Sequence, residues 1–155
     1  MAIRIPLQQL DKDLPVPENA YVGDGAVDLR STKDLVLKPF ERALVPTGIA
    51  IELPLGYAAL VVPRSGLAIK HGITLVNAPG LIDSNYRGEI GVIIANMDPH
   101  EAFEIKRGDR IAQLMIIAVE QPKFEVVETL SETERGAGGF GSSGVSNKRH
   151  TTSFD

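Results

Sequence analysis

Ile111-Ala112-Gln113-Leu114-Met115-Ile116-Ile117-Ala118-Val119 is the run that decides the fold class. It is apolar at every position except Gln113. A near-continuous apolar run of this length suits a strand covered on both faces. It is far too short to span a bilayer. Upstream, Ile90, Val92 and Ile94 alternate with Gly91, Ile93 and Ala95, and Ile49, Ile51 and Leu53 line one face of another segment. Period-two alternation of this kind reads as half-buried strands. Turn chemistry separates the runs: Pro46-Thr47-Gly48, Pro54-Leu55-Gly56, Ala78-Pro79-Gly80 and Arg107-Gly108-Asp109. Short strands at such spacing predict an all-β sandwich or barrel. One segment, Ser65-Gly66-Leu67-Ala68-Ile69-Lys70-His71, reads as a short helix with Ser65 as its cap and Gly72 to end it.

Composition supports one folded domain with a polar tail. The chain has 155 residues, long enough for a core of its own. Residues 1–130 hold 63 of the 67 hydrophobic residues, while Gly, Ser and Thr fill 13 of the 25 positions in residues 131–155. A stretch so poor in apolar side chains cannot repay its ordering entropy. The expectation is a core over residues 1–130 and a mobile arm over residues 131–155. The absence of cysteine excludes disulfides, Cys-ligated metal and a thiol nucleophile. A net charge of -4 argues against a protein that coats nucleic acid or an anionic membrane. Met1–Pro6 shows no signal-peptide pattern, so a soluble, cytoplasmic protein is expected.

Several apparent motifs fail on context. Gly136-Ala137-Gly138-Gly139-Phe140-Gly141 matches GxGxxG but has no strand before it and no helix after it. Glu125 and Glu128 flank a β-branched pair, so on a strand they point to opposite faces and read as solvated edge carboxylates. His71, His100 and His150 share no ligand spacing.

Five other segments are hard to explain as scaffolding. Asp28, in Asp24-Gly25-Ala26-Val27-Asp28-Leu29-Arg30-Ser31, either faces water or reaches a metal from a partly buried strand. Pro63-Arg64-Ser65-Gly66-Leu67-Ala68 sets free helix N–H groups beside an arginine, a pattern suited to an anion or to an ordinary cap. Val76-Asn77-Ala78-Pro79-Gly80-Leu81-Ile82-Asp83-Ser84-Asn85-Tyr86-Arg87-Gly88-Glu89 reads as a turn-rich hairpin carrying an amide, a carboxylate and an aromatic face. Those are parts for reading a base edge, activating water and packing on a sugar. Gln113 lies inside an apolar strand and needs a partner if buried. Arg135-Gly136-Ala137-Gly138-Gly139-Phe140-Gly141-Ser142-Ser143-Gly144 suits a glycine-rich flap closing on an aromatic, phosphorylated ligand.

Taken together and in order, these five segments resemble the trimeric dUTPase family over roughly residues 24–144. Gly25-Ala26 stands where that family usually shows Ala-Gly, and Ser143 where Thr is common. The resemblance implies a jelly-roll-like β-sandwich or barrel of the β-clip type with one short helix. It also implies a homotrimer whose active sites are shared between chains. The implied reaction is Mg²⁺-dependent hydrolysis of dUTP to dUMP and pyrophosphate, which keeps uracil out of DNA and supplies dUMP. By motif position, Asp83 resembles the general base that orients water on the α-phosphorus, and Tyr86 the ring packed under the deoxyribose. Asn77, with backbone near Leu81 and Ile82, resembles the uracil-reading group. Arg64, Ser65 and Gly66 resemble phosphate contacts, Gln113 a member of the phosphate and metal shell, and Asp28 a carboxylate holding the metal through water. From the tail, Arg135 resembles a phosphate clamp, Phe140 a lid on uracil, and Gly141, Ser142 and Ser143 a closure over the β- and γ-phosphates. Two rival readings share the fold or the pocket: a dCTP deaminase, and a nucleotide-gated binding protein. The Asp83–Tyr86 arrangement and the flap sequence favour hydrolysis of dUTP.

Overall fold

A computed structural model describes residues 3–140. The chain forms two compact units, Met1–Gln121 and Pro122–Asp155. All regular structure among the described residues lies in the first: β1 (Leu7–Gln9), β2 (Val27–Arg30), β3 (Leu35–Leu37), β4 (Arg42–Pro46), β5 (Ile49–Ile51), β6 (Tyr57–Val62), α1 (Ser65–His71), β7 (Ile73–Leu75), β8 (Gly80–Ile82), β9 (Gly91–Asn96), β10 (Phe103–Ile105) and β11 (Arg110–Ala118). The strands make a four-stranded sheet in the order β2-β11-β6-β8 and a three-stranded sheet in the order β4-β9-β7. The pairs β1-β5 and β10-β3 complete them. Every pairing is antiparallel. The architecture is an all-β sandwich with one short helix, and among the described residues the sheets do not close into a barrel. No helix of the described residues is long and apolar enough to cross a membrane.

The period-two reading places the core. Ile90, Val92 and Ile94 are fully buried, with Ile49, Ile51 and Leu53 in the same cluster. The long run becomes β11, buried at Ile111, Ala112 and Leu114 and only partly covered from Met115 to Ile117. Burial on both faces therefore holds for its first half.

Three local expectations change. Ser65 does not cap α1: the N-cap position is Arg64 in extended conformation, with no side-chain cap hydrogen bond. The C-terminal end behaves as the sequence reads. Gly72 is left-handed at φ 64°, and its N–H donates to Ala68 O at 3.0 Å. Residues 76–89 are not a simple hairpin. β7 pairs with β9, whereas β8, between them in sequence, crosses to pair with β6 in the other sheet. The stretch around Glu125 and Glu128 forms no strand; it is irregular and exposed, so the carboxylates are solvated for lack of structure rather than at an edge.

Two polar anchors fix the loops around the sheets. Asn96 is fully buried, donates to Leu37 O at 3.0 Å and Glu101 O at 2.8 Å, and accepts from the Asp98 N–H at 2.9 Å. One amide thus ties the end of β9 to β3 and to the turn before β10. Arg107 bonds the Asp11 carboxylate and Thr32 O, and its backbone N–H reaches Asp34. Its guanidinium holds the Asp11 carboxyl below the usual carboxylate range.

Asn96→Ala should destabilise the fold by about 2 kcal/mol, since the buried Leu37 carbonyl and the part-buried Glu101 carbonyl lose their donor. Urea denaturation measures this; a loss under about 0.5 kcal/mol would show that water replaces the amide. The Asp98 carboxyl is also held below its usual range, chiefly by the Glu101 and then the His100 backbone N–H. A depressed folded-state value contributes stability above the unfolded value of roughly 4, and that contribution disappears as pH falls through the folded value. The stability gap between the natural protein and Asp98→Asn should therefore close on acidification below about pH 4.

Candidate active site

Two polar groups stand out on the four-stranded sheet. The first is built on β11. Gln113 lies opposite Asp28 on β2 and Val62 on β6. Its amide nitrogen is 3.5 Å from Asp28 Oδ1. Arg64, just beyond β6, sets Nε 3.2 Å from Asp28 Oδ1, and Arg110 sets a guanidinium nitrogen 3.3 Å from Asp28 Oδ2. Arg64 also donates to Arg110 O at 2.9 Å, which binds the two arginines to one another. The Arg64 Nε–Asp28 contact is ionic rather than a directed hydrogen bond, because Nε has no partner in hydrogen-bond geometry. The Asp28 side chain is 20 % exposed and that of Arg64 26 %. Two guanidinium groups on one carboxylate leave the cluster a net positive charge, suited to an anion. An open cleft of about 430 Å³ adjoins it, lined in part by Tyr21, Asp24, Asp28, Gln113 and Met115.

Arg110 is the member that strand periodicity misses. Arg110 and Gln113 are three residues apart, so a regular strand points them to opposite faces. The β11–β2 register shifts between Arg110 and Ala112, and this irregularity resets the alternation so that both reach Asp28. Nothing in the one-dimensional pattern announces the shift.

The second group belongs to β8 and the loop after it. Asn77 is exposed and packs over Gly80, where an added Cβ would come 3.0 Å from its amide nitrogen. Leu81 and Asp83 are exposed, and Ile82 is half-buried. The Tyr86 N–H donates to Asp83 O at 3.1 Å, closing a turn that presents the Asp83 carboxylate to solvent. The Tyr86 hydroxyl donates to Glu89 O at 3.0 Å, and the Glu89 carboxylate accepts the Gly48 N–H at 2.8 Å. The loop is thereby fastened to the strand β5 side of the fold.

Within one chain the two groups do not meet. β2 and β8 are separated by β11 and β6, and Ile82 pairs with Ala59, three positions from Val62. Standard strand spacing and rise put Asp28 and Ile82 roughly 17 Å apart. No single reacting atom can touch both Asp28 and Asp83. Ser65 and Gly66 begin α1, with Ser65 exposed and open space above Gly66.

Arg135 and Phe140 lie in the second unit. Arg135 donates from Nε to Gly138 O at 2.9 Å in a local turn, and Phe140 is fully exposed at φ 47°. Gly141, Ser142 and Ser143 lie outside the described residues. Among the described residues no three acidic or histidine side chains gather as a cage for a metal ion.

Asp28→Asn should lower stability by about 1–2 kcal/mol in metal-free buffer, because two arginines lose the charge that holds them together. The loss should shrink in high salt. Denaturation at two ionic strengths measures it; no loss would mean that the cluster is not held by charge.

Known proteins give the site its context. The dUTPase family model matches residues 12–144. A deoxyuridine 5′-triphosphate nucleotidohydrolase of Rhodococcus erythropolis is 56 % identical over 142 residues, covering 92 % of this chain and 87 % of that protein. One of the same name from Corynebacterium glutamicum is 55 % identical over 140 residues, covering 90 % and 94 %. Among solved structures, a mutant dUTPase of Staphylococcus bacteriophage 80alpha with dUpNHpp superposes with a TM-score of 0.85 at 30 % identity, covering 93 % of this chain and all of that one. A mutant dUTPase of phage phi11, described with a structural Mg(II) ion, superposes with a TM-score of 0.77 at 25 % identity, covering 84 % and 100 %.

Proposed function

The chain belongs to the dUTPase family and is a dUTP-hydrolysing enzyme, and from that premise we propose how its residues divide the work. The observation that carries the proposal is the Asp28–Arg64–Arg110–Gln113 cluster, in which two guanidinium groups and an amide converge on one carboxylate. Arg64, Arg110 and Gln113, with the N–H groups of Ser65 and Gly66, receive the phosphates. Charge neutralisation and positioning are most of what phosphoryl-type displacement asks of a protein. Asp28 keeps the two arginines aligned before substrate arrives.

Asp83 is the general base. Its exposed carboxylate accepts a proton from water and directs that water at the α-phosphorus, releasing pyrophosphate and leaving dUMP. Asn77 reads the uracil edge beside the backbone of Leu81 and Ile82. The Tyr86 ring packs under the deoxyribose where a 2′-hydroxyl would clash. Loss of a made-to-measure hydrogen bond rejects other bases far better than an apolar pocket could.

The donor set fits Mg²⁺ only as an ion carried on the triphosphate. Mg²⁺ is commonly held by one or two carboxylates together with phosphate oxygens and retained waters. Asp28 has its oxygens shared with two guanidinium groups, so holding the ion through water suits it better than direct ligation. When bound, the ion supplies further charge neutralisation at the phosphates.

We also propose that the protein works as a homotrimer. The separation of Asp28 from Asp83 within one chain supports sites completed by a neighbour's residues. The arm over residues 131–155 contributes Arg135 as a phosphate clamp, Phe140 as a stacking lid, and Gly141, Ser142 and Ser143 as phosphate contacts. The folded unit that carries the other site residues lies within residues 1–130. In the cell, the reaction keeps uracil out of DNA and supplies dUMP, in the cytoplasm.

Asp83→Asn should leave dUTP binding largely intact and slow turnover by roughly 10²–10⁴-fold. Pyrophosphate release from dUTP, dCTP, dTTP and UTP, measured side by side, tests this. Near-normal turnover would remove Asp83 from the role, and ammonia release from dCTP would replace the activity. A chain cut after Leu130 should stay folded and lose activity; unfolding would make the arm structural.

A further inference from the structure

Tyr86 is half-exposed, at 44 %, and its hydroxyl is tethered within its own loop. Its side chain folds back along its own loop, and the ring lies over Gly88. An ideal Cβ placed on Gly88 would overlap the Tyr86 hydroxyl, come within 2.6 Å of Cζ and within 3.0 Å of Cε2. Real Cβ contacts do not approach so closely. Gly88 does not have a left-handed φ, so the glycine is not there to reach a special backbone angle. What it supplies is room. The hydroxyl then bonds Glu89 O at 3.0 Å, and Glu89 is in turn held by the Gly48 N–H. The backbone below the ring is fixed by Arg87, which donates to Ser84 O at 2.7 Å and Tyr86 O at 3.0 Å. With the loop pinned at these points, any side chain at position 88 is met by movement of the Tyr86 ring, the softest partner in the contact.

We infer that Gly88 is a specificity-determining positioning residue. It sets the height and tilt of the Tyr86 ring, and through that ring the enzyme's choice between deoxyribose and ribose. The inference rests on the reading of Tyr86 as the sugar platform. A ring pushed off Gly88 leaves the plane against which the 2′ position is measured. An exclusion made by steric contact weakens as its wall moves away.

The experiment compares kcat/KM for dUTP and UTP by pyrophosphate release, with Tm, in the natural protein, Gly88→Ala, Tyr86→Ala, Tyr86→Phe and the Gly88→Ala/Tyr86→Ala double variant. Gly88→Ala should lower the dUTP-over-UTP ratio at least tenfold. Tyr86→Phe, which keeps the ring and loses only its tether to Glu89 O, should lower it by less. The double variant should match Tyr86→Ala in both ratio and Tm, because without the ring the alanine methyl has nothing to strike. Such non-additivity is the mark of two residues acting through one contact.

An unchanged ratio in Gly88→Ala, beside a collapsed one in Tyr86→Ala, overturns the inference alone. An unchanged ratio in Tyr86→Ala overturns the sugar-platform reading, and the inference falls with it. Should Gly88→Ala fail to fold, the double variant decides: recovery to the Tm of Tyr86→Ala supports the contact, and continued instability overturns it.

Discussion

β11 is hydrogen-bonded along both edges, to β2 through residues Arg110–Leu114 and to β6 through residues Gln113–Ala118. That double pairing is the constraint on which the site depends. It sets Gln113 directly between Asp28 and Val62, so three separate stretches of chain meet on one row. Register in a sheet is all or nothing, since a one-residue slip turns every side chain to the other face. The buried first half of β11, with Ile111, Ala112 and Leu114 in the core, makes that slip costly. The same apolar contacts that stabilise the sandwich therefore hold a carboxylate, an amide and two arginines within reach of each other.

The charge arrangement follows a similar economy. Asp28 gives the two arginines one shared counter-charge before any ligand arrives, and the cluster keeps an excess of positive charge. Exposed arginines alone would lose side-chain entropy only when substrate arrived. Tethering them in advance moves that cost into folding. On the phosphate role proposed for the cluster, the net charge of -4 on the whole chain is no obstacle, since the relevant field is local.

Much of this was readable before the fold was known, and the rest was hidden for definable reasons. Alternation found the core at Ile90, Val92 and Ile94, and the helix with its Gly72 stop, because both are local rules. The ordered motifs named Asp28, Arg64 and Gln113, which the structure brings together, and Asn77, Asp83 and Tyr86, which it sets around β8. The cap at Ser65 failed because the residue before it, Arg64, takes the extended conformation and keeps its side chain for Asp28. The hairpin reading failed because adjacency in sequence does not reveal which sheet a three-residue strand joins. Arg110 was missed because an irregular register breaks the period that strand reading relies on.

The departure of β8 from its sequence neighbours has a consequence for the loop that follows it. β7 and β9 pair through Leu75 and Ile94, so the chain from 76 to 90 must leave one sheet, add β8 to the other and return. An excursion tied at both ends has little freedom to spread. It is further closed by the Tyr86–Asp83 turn and by Glu89 on Gly48. Asp83 and Tyr86 are thus exposed side chains on a backbone with few ways to move, which suits the roles proposed for them: access for a ligand without slack in the groups that would meet it. Glycine at 88 belongs to the same solution, since a loop this confined can seat a tyrosine ring against itself only where one of its own residues has no side chain.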